Sequence, residues 1–409
     1  MLWDGMRRNE RRSLPVIVRS TNRMPRRHTE RAAGMGEGVP ALSRFFAHLS
    51  VWQVYSMTKK LWHTFLFVAL AALALFSLIY TVSIGSTELP FSEVYAVIRD
   101  HLFHQDARLK AGEFLSTHFK IIWQIRLPRT IFALLVGAGL SICGAAMQSL
   151  VLNPIADPYV LGVSSGASAG AAFALLAPIS FMEGQHQTTA FAFFGALFAA
   201  FVVYFLAKRA GGGKLQPVTL LLSGTAVNAV MSAITSYLVF RAKSPESIAA
   251  VYNWQMGAIS AAQWRTLKLP AITVAVGIVV FTAMGSRFNM MMMGDDDAAA
   301  MGLRVRLFRS VMFIFCSIVV ASLVSITGII GFVGLVVPHV VRLLSGTSDN
   351  RIVMPMSALF GASYIMWADA FARSFFGAVE LPIGIVTAFI GAPFFMFLMI
   401  KNGYGGRRR

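Results

Sequence analysis

The feature that most constrains this chain is a series of apolar stretches too long and too numerous for the core of a soluble domain. They lie near residues 61–84, 129–150, 160–180, 190–207, 217–240, 266–286, 308–329, 331–345, 355–373 and 383–400. A helix needs about 20 apolar residues to cross a hydrocarbon layer roughly 30 Å thick at 1.5 Å per residue. Several hundred residues of which 56% are hydrophobic and 13% charged therefore give about ten crossings. The expected fold is all-α, a polytopic membrane protein, with no soluble domain of useful size left over.

The formal charge of +18 does not point to nucleic acid, because the Lys and Arg residues sit at the chain ends and between apolar stretches. Lys59, Lys60, Lys208, Arg209, Lys214, Arg287, Arg304, Arg306, Arg309, Arg342, Arg351 and the run from Lys401 to Arg409 fall on one side of such a bundle. The positive-inside rule makes that side the cytoplasm and puts both termini there. Arg126, Arg129, Arg241, Lys243, Arg265 and Lys268 oppose the trend. Cys143 and Cys316 lie inside apolar stretches and read as small membrane residues rather than a disulfide.

Domain boundaries follow from composition: a basic, disordered tail over 1–60, the membrane domain over 61–402 and a short basic tail over 403–409. No cleavable signal peptide is apparent. Met57, Thr58, Lys59 and Lys60 stand immediately before the first apolar stretch, as at the start of many bacterial membrane proteins. Either translation begins near Met57, or the preceding residues form a cytoplasmic tail that meets lipid head groups.

Small residues recur at four-residue spacing in three stretches: Gly162, Gly166 and Gly170; Gly137, Ser141 and Ala145; Gly384, Ala388 and Ala392. Such faces let helices approach closely where lipid supplies no hydrophobic drive. Helix packing is the reading preferred over a substrate groove. Pro154, Pro158, Pro338 and Pro382 predict broken elements, which a membrane tolerates only where protein or a watery cavity satisfies the freed backbone.

Chemistry is sparse. The string Gly211-Gly212-Gly213-Lys214-Leu215 lacks the spacing and hydroxyl of a phosphate-binding loop, so ATP hydrolysis would reside on another polypeptide. Ionisable residues at membrane depth, the mark of an ion-coupled pump, are nearly absent. Asp369 and Arg373, four residues apart, read as a mutual ion pair. His101 and His104 lack a third ligand for metal, and Met290–Met293 at a span end reads as apolar packing. Asp295, Asp296 and Asp297 open a short helix-favouring segment that ends at Gly302. Acidic residues there oppose the helix dipole, whether the segment is a solvated cap or a docking element.

Several strings carry a resemblance. Trp123 to Thr130 (WQIRLPRT), Gly144 to Gln148 (GAAMQ), Asn153 to Pro158 (NPIADP) and Leu161 to Gly166 (LGVSSG) come first; Gly331 to Arg342, Ala368 to Arg373 and Glu380 to Ala388 follow. In this order they resemble the permease family of type II ABC importers for iron chelates, haem and cobalamin, from about residue 61 to 402. The resemblance implies a homodimer of ten-span subunits in the bacterial inner membrane, two cytoplasmic ATPase subunits that hold ATP and magnesium, and one periplasmic substrate-binding protein. This chain would bind no cofactor and catalyse no reaction.

The resemblance also implies roles by position. Gly294, Asp295, Asp296, Asp297, Ala298, Met301 and Gly302 would form the segment that couples to the ATPase, although the family more often has Glu at 295 and Leu at 301. Arg126, Arg129 and Arg373 would be outward-facing arginines that receive carboxylates of the binding protein. Asn228, Ser232 and Thr235 would line the translocation path. The family's gate region falls at Gly211–Gly213 and Pro217-Val218, where the hydroxyl residues of some members are unmatched. A ferric siderophore is the first expected cargo, with haem and corrinoid next. The rivals are an ion-coupled secondary transporter, which would need buried ionisable residues, and an intramembrane enzyme, which would need a catalytic set at membrane depth.

Overall fold

The computed structural model describes residues 41–85, 87, 89–102, 116–177, 184–375 and 379–402. The chain divides into two units, Met1–Lys59 and Lys60–Arg409. In the first, the backbone is helical from Ala41, earlier than the expected tail boundary. Leu42, Phe45, Phe46 and Leu49 supply a three- and four-residue apolar spacing that composition over the whole tail obscures. The remainder of that tail and the basic run 403–409 lie outside the described residues.

Every regular element among the described residues is helical. Seven helices are long and apolar enough to cross a membrane: Thr58–Thr81, Thr117–Leu150, His186–Ala210, Pro217–Phe240, Val305–Thr327, Asn350–Ser374 and Ile383–Ile400. Lys268–Ala283 and Gly285–Met292, bent by 61° at their junction, make an eighth if they count as one span. The two other expected crossings are shorter helices, Val163–Leu176 and Val333–Ser345. At 1.5 Å per residue each reaches only about 20 Å, short of the roughly 30 Å hydrocarbon layer. The chain enters the first from a 3-10 turn at Pro158–Leu161, and the second after non-helical backbone that ends at Phe332, whose φ is 69°.

Leu127–Leu150 is the axis of the bundle, buried on nearly every side, as an all-round apolar helix must be. It packs most extensively against Asn350–Ser374 and also against Val333–Ser345, Val305–Thr327 and Lys268–Ala283. The small-residue faces explain the closeness. A Cβ added at Gly137 would collide with the carbonyl of Gly361, and one at Gly144 with that of Gly334. Gly166 and Gly170 meet the backbone of Gly195 and Phe191 in the same way. The third small face is different: Gly384 touches the backbone of Met256, but Ala388 and Ala392 line an open groove with Gln255, Ile329 and Phe389. Phe194, Phe198, Phe201 and Phe205 instead project from Gly184–Ala210, each more than half exposed, as a stripe for which lipid is the matching solvent.

Where helices stop inside the bundle, backbone meets backbone. The amide of Ala258 donates to Thr327 O (2.7 Å) and that of Ile383 to Gly257 O (3.0 Å), so three broken ends satisfy one another. The Asn350–Ser374 helix starts on Asp349, whose carboxylate accepts from the amide of Arg351 (3.0 Å) and the side chain of Asn289 (2.7 Å). Arg351 and these donors hold its pKa at about 2, below the ordinary 3.8. A depressed carboxylate stabilises the fold above its ordinary pKa and loses that contribution as pH falls through its folded value. Asp349→Ala should therefore cost about 1 kcal/mol at neutral pH, the usual worth of an N-cap. Thermal unfolding in detergent should show the wild-type advantage shrinking as pH drops from about 4 toward about 2.

Candidate functional site

Two charged clusters occupy opposite ends of the Leu127–Leu150 helix. The first begins at a π-turn, Ile121–Arg126, immediately before that helix. π-turns of this kind insert one residue into a helix and re-aim side chains, often at functional positions. Arg126 reaches the end of the first span, donating to the carbonyls of Ser83 (2.8 Å), Thr87 (2.5 Å) and Val82 (3.4 Å). Arg373 donates to Thr81 O (2.6 Å). Together the two guanidinium groups satisfy the carbonyls that a helix C-terminus leaves without partners, at the end where cations are favoured.

Arg129 lies between two acidic residues. Its guanidinium donates to Asp369 (Nε to Oδ1 3.0 Å, a second nitrogen at 2.9 Å) and to both oxygens of Glu380 (2.9 Å each). Asp369 also faces Arg373 at 3.6 Å. The Asp369–Arg373 pair expected from spacing exists, but the closer partner is Arg129 on another helix, which local spacing cannot show. Asp369 is 1% exposed, whereas the Glu380 side chain is 48% exposed.

This geometry corrects one expectation. Arg126, Arg129 and Arg373 gather at one end, as their positions imply, but they are 5%, 7% and 4% exposed and are not open forks. Orphan carbonyls and buried Asp369 engage them first. These three arginines, Asp369 and Arg309 are all buried, a burial of charge distinct from the expected scarcity of ionisable residues at membrane depth. They stand near span ends, where hydropathy windows average them away.

The second cluster holds the acidic segment. Asp295–Ala300 is helical as expected. Gly294, at φ 111°, turns the chain into it, and Gly302, at φ 87°, ends it. The amides of Leu303 and Gly302 donate back to Ala298 O and Ala299 O, a Schellman ending in which Gly fits the left-handed position. Ala298 is fully buried as the anchor. Asp296, Asp297, Ala299, Ala300 and Met301 are exposed. Asp295 points inward to Arg309, and that hydrogen-bonded partner holds its carboxyl below the ordinary carboxylate range.

The residues expected along a path share one helix, Pro217–Phe240, and differ in their surroundings. Asn228 accepts from the Ser165 hydroxyl (2.6 Å), and Thr235 is buried with its hydroxyl bonded to Met231 O of its own helix. Ser232 is exposed. The His101 ring lies against Trp123, centroids 4.0 Å apart and planes inclined by 55°, and its expected companion His104 lies outside the described residues. Among the described residues no group of three or more potential metal ligands forms. Arg309 was missed altogether as a site residue; in sequence it is one basic residue among several at a span end.

Comparisons with known proteins find a family and relatives for the chain. A family model described as the FecCD transport family matches residues 47–401. The chain is 42% identical over 279 residues to the cobalamin import system permease protein BtuC of Halobacterium salinarum, covering 68% of this chain and 73% of that one. It is 37% identical to the vitamin B12 import system permease protein BtuC of Escherichia coli, covering 72% and 88%. An uncharacterized ABC transporter permease protein, YvrB of Bacillus subtilis, is 36% identical over 81% of this chain and 92% of its own. Among solved structures, an inward-facing ABC transporter described as of metal-chelate type superposes with a TM-score of 0.68 at 26% identity, covering 83% of this chain and 99% of that one.

The first cluster makes a ranked prediction. Asp369→Asn removes the buried negative charge between two guanidinium groups and should destabilise the protein by about 3–5 kcal/mol. Glu380→Gln alters a half-exposed pair and should cost at most about 1 kcal/mol. Thermal unfolding in detergent should show Asp369→Asn far below Glu380→Gln; equal losses would refute the division into a buried and a rim carboxylate.

Proposed function

The chain belongs to the FecCD transport family, and from that premise we propose that it is the membrane-spanning subunit of an ATP-driven importer carrying a bulky metal chelate into the cell. The observation that carries the reading is the pairing of two built ends on one buried helix. One end presents a short, glycine-bounded acidic helix with its outer face bare; the other gathers three guanidinium groups against two carboxylates.

In this reading two copies of the chain enclose the path in the bacterial inner membrane, with both termini in the cytoplasm. Two ATPase subunits, which bind ATP and magnesium, dock on 294–302. This chain hydrolyses nothing. A periplasmic binding protein docks at the arginine end, where the net charge of the cluster is positive. Arg129 is the arginine best placed to answer an incoming carboxylate, because its Glu380 partner lies at the rim, whereas Arg126 is held by backbone carbonyls and Arg373 lies against Thr81 O and buried Asp369. The arginine fork suits such an exchange, since it holds carboxylates bidentately and keeps its charge. The BtuC relatives support cobalamin as a cargo to test beside ferric siderophore and haem.

The test is reconstitution in proteoliposomes with candidate ATPase subunits and a candidate binding protein from the same genome. Uptake of cobalamin, haem and a ferric siderophore is measured with and without ATP. One chelate should accumulate only when ATP, ATPase and binding protein are all present. Uptake by this chain alone, driven by an ion gradient, would overturn the reading in favour of a secondary transporter.

A further inference from the structure

We propose that Arg309 is the internal link that carries a displacement of the acidic segment into the membrane domain. The proposal rests on the reading of 294–302 as the ATPase-docking segment. Arg309 lies in the first turns of Val305–Thr327 and is 1% exposed, yet its guanidinium joins three separate parts of the chain. Nη1 and Nη2 donate to the two oxygens of Asp295 (2.8 and 2.5 Å). Nη1 also donates to Leu215 O (2.7 Å), and Nε to Leu150 O (3.1 Å).

Each partner occupies a mechanically distinct place. Asp295 is the first residue of the acidic helix, so a push on that helix reaches its carboxylate directly. Leu150 is the last residue of the buried axis, whose first turn carries Arg129 about 32 Å away at 1.5 Å per residue. Leu215 belongs to the loop between Gly184–Ala210 and Pro217–Phe240. That loop turns on Gly212 and Gly213, both at positive φ with open space around them, so the loop itself has little packing to hold it. Leu215, by contrast, is buried and tied to Arg309.

A planar fork suits this role better than an ammonium. Its donors lie in fixed directions, so a shift of the carboxylate rotates the whole group and disturbs both carbonyl contacts together. Lys at this position would keep the charge and reach Asp295 or one carbonyl, but not all three. Arg309 is thus a positioning residue: it touches neither ATP nor cargo.

The experiment uses the complete reconstituted transporter and reads cargo moved per ATP hydrolysed, a ratio that a loss of folded protein leaves unchanged. Arg309→Lys should lower that ratio at least about tenfold. Asp295→Asn, at a half-exposed position outside the membrane and so less liable to unfold the chain, should lower it in the same direction. A spin label at Gln216→Cys, exposed beside Leu215, should respond to ATP in the otherwise wild-type transporter and not in Arg309→Lys. A wild-type ratio and a wild-type label response in Arg309→Lys would overturn the link. An absence of ATP-dependent uptake by the unaltered transporter would instead overturn the permease reading.

Discussion

The structure depends on a rule that water relaxes and lipid does not: every backbone carbonyl or amide at membrane depth must find its partner inside the protein. A straight helix meets the rule along its length and fails it at its ends. In this chain buried guanidinium groups supply much of what the ends lack. Arg126 and Arg373 take carbonyls at the end of the first span, and Arg309 takes Leu150 O at the end of the axial helix. Where no arginine is at hand, broken ends pair with one another, as Ala258 does with Thr327 and Ile383 with Gly257. The charges that oppose the apolar trend are therefore part of how the helices stop.

That role explains what could be read from sequence and what could not. Apolar stretches and small-residue spacing are local, so the spans, the close approach of Gly137, Gly166 and Gly170 to a neighbouring backbone, and the acidic helix bounded by Gly294 and Gly302 were all legible. Two of the apolar stretches hold helices shorter than the stretches themselves, because hydropathy does not register the backbone breaks at Gly162 and Phe332. Arg129 and Asp369 are 240 residues apart, and Arg309 meets Leu150 across 159 residues. No local pattern encodes such pairs. Motif resemblance located the outward-facing arginines at one end but not the carbonyls and carboxylates that engage them, since a motif records residue identity and not which group lies opposite.

Close packing gives these contacts leverage. Around Leu127–Leu150 the glycines bring backbones so near that no methyl group would fit between Gly137 and Gly361 or between Gly144 and Gly334. Such contacts do not deform continuously, so the axial helix moves with its neighbours as a body. Breaks and openings in the packing lie elsewhere: around Gly212 and Gly213, at the bend of 61° between Lys268–Ala283 and Gly285–Met292, and in the groove beside Ala388.

Each end of this rigid axis joins buried contacts to one carboxylate at the rim. At the first, Asp369 is closed off at 1% exposure while Glu380 is 48% exposed; at the second, Arg309 is buried while the Asp295 side chain is 42% exposed. The difference decides which bonds can change. Breaking a buried pair costs about 3–5 kcal/mol, whereas an exposed one is worth about 0–1 kcal/mol, so exchange at the rim is affordable and exchange inside is not. A protein that docks at either end meets the replaceable carboxylate first, and behind it a guanidinium whose remaining bonds run into the bundle. The molecule can be acted on from both sides without opening the contacts that close its helices.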